Sequence, residues 1–474
     1  MVHGKNTILL LLSTGAVTGL GVTAEAGTWR VTPSITVAET YTDNVDLDAT
    51  VQQSDFVTNV TPQIVVSGVG ARLNTLVSYS ANYFYYPGDD NDKHDLRHNL
   101  QANLNSELVR ELFFIDSTAS INQRFLDRRR AISANNVSRT LNRRTVQAYS
   151  FSPYLAHAFG TWATAQLRYD LRHVRQSADV SQTTADTFFG NSLSHQGIFS
   201  VSSGPRFTRL NWTASVNYRT EEREITNDFE STTARVDFSY QVNRMLALLG
   251  SAGYQDRETG SSFGQFDGLI WDAGFRLTPG PRSSLSFRYG NQFDGNTFSV
   301  NALYKITAKN TITLVYSDTL RTFQSLAFEE AGGTGFVPTE DSGFISGDLA
   351  RRKRWTLGVN GVRGRTTYGI NGFYLKNRSE NSVLDEKRWG GGISLSRALN
   401  TRLTVGSNFY YNRSQFFSDN RKDNFWSASA NASYLISKSL VGTLEYVHSD
   451  RDQSRFSVLN GGSNYVSLSI RATL

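Results

Sequence analysis

The chain of 474 residues has no cysteine, only 8 prolines and 2 methionines, and little hydrophobic character, at 39% apolar residues. Each shortage removes a class of protein. Without cysteine, disulfide scaffolds, thiolate metal sites and C-x-x-C-H haem attachment are excluded. After the first 26 residues no apolar run is long enough to cross a bilayer as a helix. Nor is there a sustained 3.6-residue periodicity of the kind that marks amphipathic helices. Charge of one sign is not concentrated either: the net charge of +6 is dispersed along the chain, which gives no indication of nucleic-acid binding. Present instead are 38 glycines, 29 phenylalanines and 21 tyrosines, in a chain whose mean hydropathy is −0.37.

The first 26 residues are set apart. His3 and Lys5 make a short basic start, Ile8 to Val22 form an apolar stretch, and Ala24-Glu25-Ala26 supplies the two small side chains that a signal peptidase accepts. The stretch is short and Gly-containing, and Gly27-Thr28-Trp29 follows it in place of a basic stop-transfer flank. Residues 1–26 are therefore expected to be a cleaved signal peptide, and 27–474 one exported domain.

From Trp29 onward the pattern is period two, the signature of strands with two different faces. Leu210, Trp212, Ala214, Val216 and Tyr218 fall on one face and Asn211, Thr213, Ser215, Asn217 and Arg219 on the other. Ala234, Val236, Phe238 and Tyr240 alternate in the same way with Arg235, Asp237, Ser239 and Gln241. Alternation of this kind suits a β-sandwich as well as a barrel, and three further features select the barrel. Connections alternate between tight turns and long polar loops, as expected when one end faces the periplasm and the other the outside. Tight turns fall at Gly70-Ala71-Arg72, Glu107 to Glu111, Gly160-Thr161, Gly204-Pro205-Arg206, Asn243-Arg244, Pro279-Gly280-Pro281, Lys309-Asn310, Gly364-Arg365, Leu399-Asn400 and Lys438-Ser439. Long loops are expected near 43–54, 87–93, 127–143, 175–194, 221–230, 257–265, 291–296, 321–350, 377–386, 413–422 and 450–462. Aromatic residues gather at strand ends, as at Tyr79, Tyr83 and Tyr85, at Phe409, Tyr410 and Tyr411, and at Phe425 and Trp426, where headgroups favour rings with a polar edge. The last ten residues alternate Val466, Leu468, Ile470, Ala472 and Leu474 with Ser467, Ser469, Arg471 and Thr473. They look like the closing strand read by bacterial barrel-assembly machinery, except that Leu474 stands where an aromatic is usual. The expected fold is all-β: a single large transmembrane antiparallel β-barrel of about 22 strands, in a range of roughly 20–24, with both termini periplasmic.

Motifs that could carry chemistry are weak. Gly260-Ser261-Ser262-Phe263-Gly264 matches G-x-S-x-G but lies between strands, not between a strand and a helix. His94 and His98 share a face, yet four residues of strand separate them by roughly 13 Å, too far to hold one ion. Asp43, Asp46 and Asp48, and Asp89, Asp90, Asp92 and Asp95, are acidic loop clusters that would hold a divalent cation or simply be solvated. Arg124, Arg128, Arg129, Arg130, Arg139, Arg143 and Arg144 form a basic cluster at one long loop, facing lipopolysaccharide phosphates or an acidic polymer, or paired with neighbouring acids. Alternation assigns Arg168, Asp170, Arg172, Arg219, Arg235, Asp237, Asp272, Arg276, Arg288 and Glu445 to the lumen. Charges of both signs there suggest cross-strand ion pairs, and the modest excess of arginine would favour anions if the lumen conducts.

One segment carries a family resemblance. Val31-Thr-Pro-Ser-Ile-Thr-Val-Ala-Glu-Thr-Tyr-Thr-Asp-Asn-Val45 resembles the opening of outer-membrane β-barrel porins associated with exopolysaccharide and PEP-CTERM (exosortase) systems. In that family a Pro-led first strand ends in an aromatic-x-Asp-Asn turn, here Tyr41-Thr42-Asp43-Asn44. The resemblance spans about fifteen residues and implies a Gram-negative outer-membrane protein tied to export or surface association of an exopolysaccharide. It supplies no catalytic residue and no cofactor.

The expectation is thus a passive channel for polar or anionic solutes or a polysaccharide chain. Its expected partners are outer-membrane lipid, lipopolysaccharide, the assembly machinery and a periplasmic polysaccharide-export protein. A TonB-dependent receptor is disfavoured because strand pattern begins at Trp29, with no globular plug segment before it. A structural or assembly barrel closed by its own loops is the alternative, and the 321–350 loop with Gly332, Gly333 and Gly335 is the segment expected to fold inward. An enzyme would need a nucleophile and base that the sequence does not pair, although His173 and His448 are the histidines to test.

Overall fold

The computed structural model describes residues 27–474 except 49, 90–92, 126–129, 131, 141, 178–189, 226, 260–266, 294, 323, 326–327, 329–348, 380–384 and 455–460. The expected signal peptide, Gly260 to Gly264, Asp90, Asp92, Arg128, Arg129 and the glycines of the 321–350 loop lie outside the described residues.

Alternating sequence becomes alternating strand almost everywhere. The first strands are β1 (Thr28–Thr42), β2 (Asp55–Val69), β3 (Leu73–Tyr85), β4 (His94–Val109), β5 (Phe113–Phe125) and β6 (Arg143–Phe159). They are followed by β7 (Ala163–Ser177), β8 (Ser192–Ser203), β9 (Leu210–Arg223), β10 (Phe229–Gln241) and β11 (Leu246–Thr259). The second half begins with β12 (Gly268–Gly280), β13 (Ser283–Asn291), β14 (Asn296–Thr307), β15 (Asn310–Arg321) and β16 (Ala350–Arg363). It ends with β17 (Thr366–Ser379), β18 (Glu386–Ala398), β19 (Leu403–Phe416), β20 (Lys422–Ser437), β21 (Leu440–Gln453) and β22 (Gly461–Thr473). Each of the ten expected turns and eleven loops corresponds to one connection between these 22 strands, although several expected bounds, such as 107–111, 175–194 and 413–422, overlap the strand ends.

Each strand pairs antiparallel with the next, and β1 closes on β22 from Ser34↔Thr473 to Thr42↔Tyr465. Closure is what lipid demands, because a hydrocarbon medium offers no partner to a free N–H or C=O. A strand of about 9–11 tilted residues spans a bilayer. The strands here run from 9 residues in β13 to 17 in β6, so several extend beyond the membrane. At the tight end, Gly160 and Gly364 adopt φ of 57° and 59°, a left-handed turn conformation that a Cβ would strain.

The register shows which face is which. The outer face is apolar, as with Val466, Leu468 and Ile470 on β22, and it remains exposed: Leu269 on β12 is 70% accessible. Exposing that many large side chains to water would cost roughly 25 cal/mol per Å², so this surface belongs in lipid. Outward aromatics form two girdles. Tyr83, Tyr169, Tyr289, Tyr374 and Trp389 lie toward the loop end, and Trp29, Trp162, Tyr240, Tyr304 and Tyr434 lie toward the turn end. Two of the aromatics assigned to strand ends do not join them. Phe425 is buried on the inner face opposite Arg451, and Tyr410 shares the inner face with Asn412, because each is one position out of phase with its girdle neighbour.

Two ladders stop early. β4 and β5 pair only as far as Leu100↔Ile121, although β4 runs on to His94 and β5 to Phe125. β14 and β15 pair only as far as Val300↔Tyr316, although β14 runs on to Asn296 and β15 to Arg321. Above each split the β5–β6 and β15–β16 hairpins remain internally paired, up to Phe125↔Arg143 and Arg321↔Ala350. Side chains bridge the gaps: Gln123 Nε2 donates to the His98 carbonyl at 2.8 Å, and Arg351 Nη1 donates to the Phe293 carbonyl at 3.2 Å.

Candidate functional site: the barrel lumen

Two arcs of different chemistry make up the inner wall, and the two split ladders mark their borders. The arc from β5 to β14 carries most of the inward charge. On β5 and β7, Arg168 donates to Asp116 at 2.9 Å and lies 4.0 Å over the Tyr154 ring, while Arg172 approaches Asp170 at 3.4 Å. From β10 to β13 the pairing centres on Asp272, which accepts from Arg235 at 2.7 Å, Arg288 at 2.6 Å and Ser251 at 2.6 Å. Asp237 also accepts from Arg235, at 2.8 Å. Arg235, Asp237, Asp272 and Arg288 line a recess of about 230 Å³ with Asp318 and Thr297. Arg276 donates to Ser286 at 3.3 Å, and Arg219 pairs with Glu221 two residues along β9. The alternation rule therefore placed these residues on the inside. It did not identify the partners Asp116 and Glu221, although each lies on a strand the sequence reveals.

The other arc, β15 to β22 and β1 to β4, is lined through its middle by amides and hydroxyls. Ser34 and Gln63, Gln63 and Ser78, Thr40 and Ser467, Asn408 and Ser429, and Ser433 and Thr443 hydrogen-bond across strands at 2.9–3.4 Å. Glu445 interrupts this surface. It faces inward between Asn431 and Ser467 and is exposed to the lumen.

The split hairpins reach inward over these walls. From the end of β15, Thr322 and Gln324 meet β9, six strands away around the ring. Thr322 Oγ1 donates to Glu221 at 3.0 Å and Arg219 donates to Gln324 Oε1 at 3.2 Å. Gln324 Nε2 donates to the Arg172 carbonyl at 3.0 Å, and the Gln324 side chain is 0% exposed. Phe328 packs on Val146, Ala148 and Val174 of the inner wall and lies 5.7 Å from the Arg172 guanidinium. The expectation that this loop folds inward is met at residues 322, 324 and 328, ahead of the glycines on which it rested.

The β5–β6 hairpin does the same in the opposite sector. Arg130 offers its carbonyl to Arg451 on β21, Ser133 Oγ lies 3.2 Å from the Tyr465 hydroxyl on β22, and the Tyr86 hydroxyl donates to the Val137 carbonyl at 2.8 Å. Val137 also packs against Val45, Val57, Phe84 and Tyr86. Arg139 joins three loops by pairing with Asp46 at 2.9 Å and with Asp89. Burial opposes its charge, but hydrogen bonding to Asp46 and the carboxylates of Asp46, Asp89 and Asp55 hold the guanidinium above its usual value. Arg143 and Arg144 are buried, with Arg143 donating to Ser138 at 3.1 Å, and Arg124 donates to Asn122 at 3.0 Å. Of the two settings expected for the arginine cluster, the one with acid partners applies to Arg139, and the described arginines turn into the mouth and away from the membrane surface.

The acidic loop residues act as fasteners. Asp46 and Asp89 hold Arg139, Asp43 accepts from the Asn464 amide at 2.8 Å, and Asp95 pairs with Arg97. His94 and His98 point outward, and each bonds a tyrosine on β3: His94 to Tyr83 at 2.6 Å and His98 to Tyr79 at 2.8 Å. His448 bonds Asn464 at 2.8 Å.

No protein-family model matches the chain, and no curated protein matches it. Solved structures do. The ferric-catecholate import receptor Fiu of E. coli K12 aligns over 93% of this chain and 81% of its own, at 9% identity and a TM-score of 0.54. The FrpB iron transporter of Neisseria meningitidis aligns over 94% and 82%, at 12% identity and a TM-score of 0.54. The siderophore receptor PirA of Acinetobacter baumannii aligns over 94% and 81%, at 8% identity and a TM-score of 0.51. At such identities the likeness is one of fold, and the fold is a closed, membrane-spanning barrel of 22 antiparallel strands.

Proposed function

We propose that the protein is an outer-membrane channel of the porin type whose lumen admits polar solutes, with a polysaccharide chain as the preferred cargo. The observation that carries this reading is the arc of hydroxyls and amides on β15 to β22 and β1 to β4, facing an arc where arginines and acids already pair. Sugar hydroxyls exchange hydrogen bonds readily with Ser, Thr, Asn and Gln, and a self-paired opposite wall leaves a weak net field. The excess of arginine tilts the remaining preference toward anions. The resemblance of Val31 to Val45 to porins of exopolysaccharide and PEP-CTERM systems supports the same cargo, with a periplasmic export protein as the expected partner. Export through a signal peptide over residues 1–26, insertion by the assembly machinery through β22, and transport without catalysis complete the proposal. The neighbours named above are a ferric-catecholate import receptor, an iron transporter and a siderophore receptor, and among the described lumen residues nothing calls for an iron chelate.

The test is conductance in planar bilayers. The purified barrel is expected to pass ions and to be blocked by neutral oligosaccharides added to one side. A correctly folded barrel that never conducts would sink the channel reading and favour a second one, a scaffold at the cell surface. The two inward hairpins, anchored at Glu221 and Tyr465, are the specific support for that alternative.

A further inference from the structure

We infer that the outer wall of β16 to β18 binds the phosphate groups of a phosphorylated glycolipid in the outer leaflet. On these strands Lys353 stands opposite Lys376, and Lys376 opposite Lys387, so three ammonium groups form one cross-strand row. Like charges directly opposite on neighbouring strands repel, and around Lys376 the cations Arg378, Lys387 and Lys353 outnumber the one acid that acts on it, Asp385. Such a row is stable where an anion lies between the charges.

The position of the row indicates which anion. Two residues toward the turn end, on the same lipid-facing side, the next row is Trp355, Tyr374 and Trp389. Tyr374 and Trp389 are exposed, and this row belongs to the loop-end girdle, which sits at headgroup level. Two residues of strand rise roughly 7 Å, which sets the lysines where lipid phosphates lie. Arg378, one row higher, and Arg413, opposite Trp389, extend the positive surface above and beside them. Among the described residues, the ion pair that reaches the row is Lys353 with Asp318 at 3.6 Å. That acid already accepts from Arg351 at 3.0 and 2.8 Å. Lys387 lies 5.4 Å over the Phe417 ring, which keeps its stem against the wall and its charge at the membrane surface. The described basic residues of the β5–β6 loop, by contrast, face the mouth, so among the described residues this second cluster is the one placed at leaflet level. The inference stands whether or not the lumen conducts.

Native mass spectrometry of the detergent-purified full-length protein tests it, with a bisphosphorylated lipid A, its dephosphorylated counterpart and inorganic phosphate as probes. The bisphosphorylated lipid is expected to bind at least tenfold better than the dephosphorylated one. The K376Q/K387Q variant is expected to lose roughly thirty-fold of that binding. The K376R/K387R variant should keep it, and heat-modifiable gel mobility confirms that each barrel is folded. Equal binding of the two lipids to the wild-type protein overturns the inference without any variant. So does a folded K376Q/K387Q barrel that binds normally, and so does displacement of the lipid by millimolar inorganic phosphate, which would make this a free-phosphate site.

Discussion

The two arcs of the lumen wall are built from the same strand geometry yet handle polarity in opposite ways. From β5 to β14, arginines and carboxylates are fixed to one another: Asp272 alone takes three donors from three strands. From β15 round to β4 the middle of the wall is mainly neutral, Glu445 apart, and hydrogen bonds such as Asn408 to Ser429 are easily exchanged for those of a guest. Charge-assisted bonds are shorter and stronger than neutral ones, so the first wall is stiff and self-satisfied and the second is adaptable. In a channel this contrast divides labour, one wall holding the shape and the other touching the cargo.

The largest effect is expected where a hairpin joins the stiff wall. Replacing Thr322 with Val and Gln324 with Ala removes its hydrogen bonds to Glu221, Arg219 and the Arg172 carbonyl. At about 1 kcal/mol each, the docked population should fall on the order of a hundredfold. Single-channel conductance should then rise several-fold, and an unchanged conductance would mean that the hairpin does not limit the path.

Next comes Asp272→Asn, which removes the closer of the two acids that Arg235 and Arg288 share and leaves them Asp237. Because the site faces the lumen and is partly accessible, the stability loss is discounted to about 1–2 kcal/mol, read as a lower temperature for loss of the folded gel band. Reversal potentials in a salt gradient should shift toward anions by several-fold. No shift would show that the two arginines lie away from the permeation path.

A smaller change is expected from Asn431→Arg in the neutral arc, beside Glu445 on the neighbouring strand. It should weaken block by neutral oligosaccharides about two- to threefold, at roughly 0.5 kcal/mol for one exchanged hydrogen bond, while leaving stability unchanged. If block is unaffected, cargo contact lies elsewhere and the division between the walls fails.

The smallest effect lies outside both walls, in the 43–54 loop. Backbone and side-chain hydrogen bonds from Thr50, and the backbone amide of Val51, hold the Asp48 carboxyl below its ordinary value. A depressed folded pKa contributes stability that is present above the ordinary aspartate range and is lost as pH falls through the folded value. The protection of the Thr50 and Val51 amides, read as hydrogen exchange relative to the intrinsic rate at each pH, should therefore fall on acidification below that range. In Asp48→Asn the protection should be low and independent of pH, and identical protection profiles for the two proteins would remove the loop's acid dependence.

Much of this was legible because a barrel writes itself in period two. Leu210 to Arg219 names its own inside and outside, and Gly364-Arg365 names its turn. Gly70-Ala71-Arg72 joins β2 to β3 in the same way. What alternation cannot encode is a contact between strands distant in the ring. Gln324 and Arg172 are 152 positions apart, and no local pattern pairs them. The inward turn of Arg139 likewise depends on Asp46 and Asp89, from two other loops. Phase slips explain the remainder: Tyr410 and Phe425 look like girdle residues by composition and become wall residues by parity.

The early ends of the β4–β5 and β14–β15 ladders have a mechanical consequence. A barrel bears load as a hoop, with tension passed from strand to strand through backbone hydrogen bonds. Here the lower ring is an unbroken hoop, while the upper rim is cut in two places, leaving shells of ten strands (β5–β14) and twelve. Compliance is therefore concentrated at the rim, which ovalises along the line joining the two cuts while the base keeps its diameter. A guest too wide for a round mouth meets an edge that yields before the wall does.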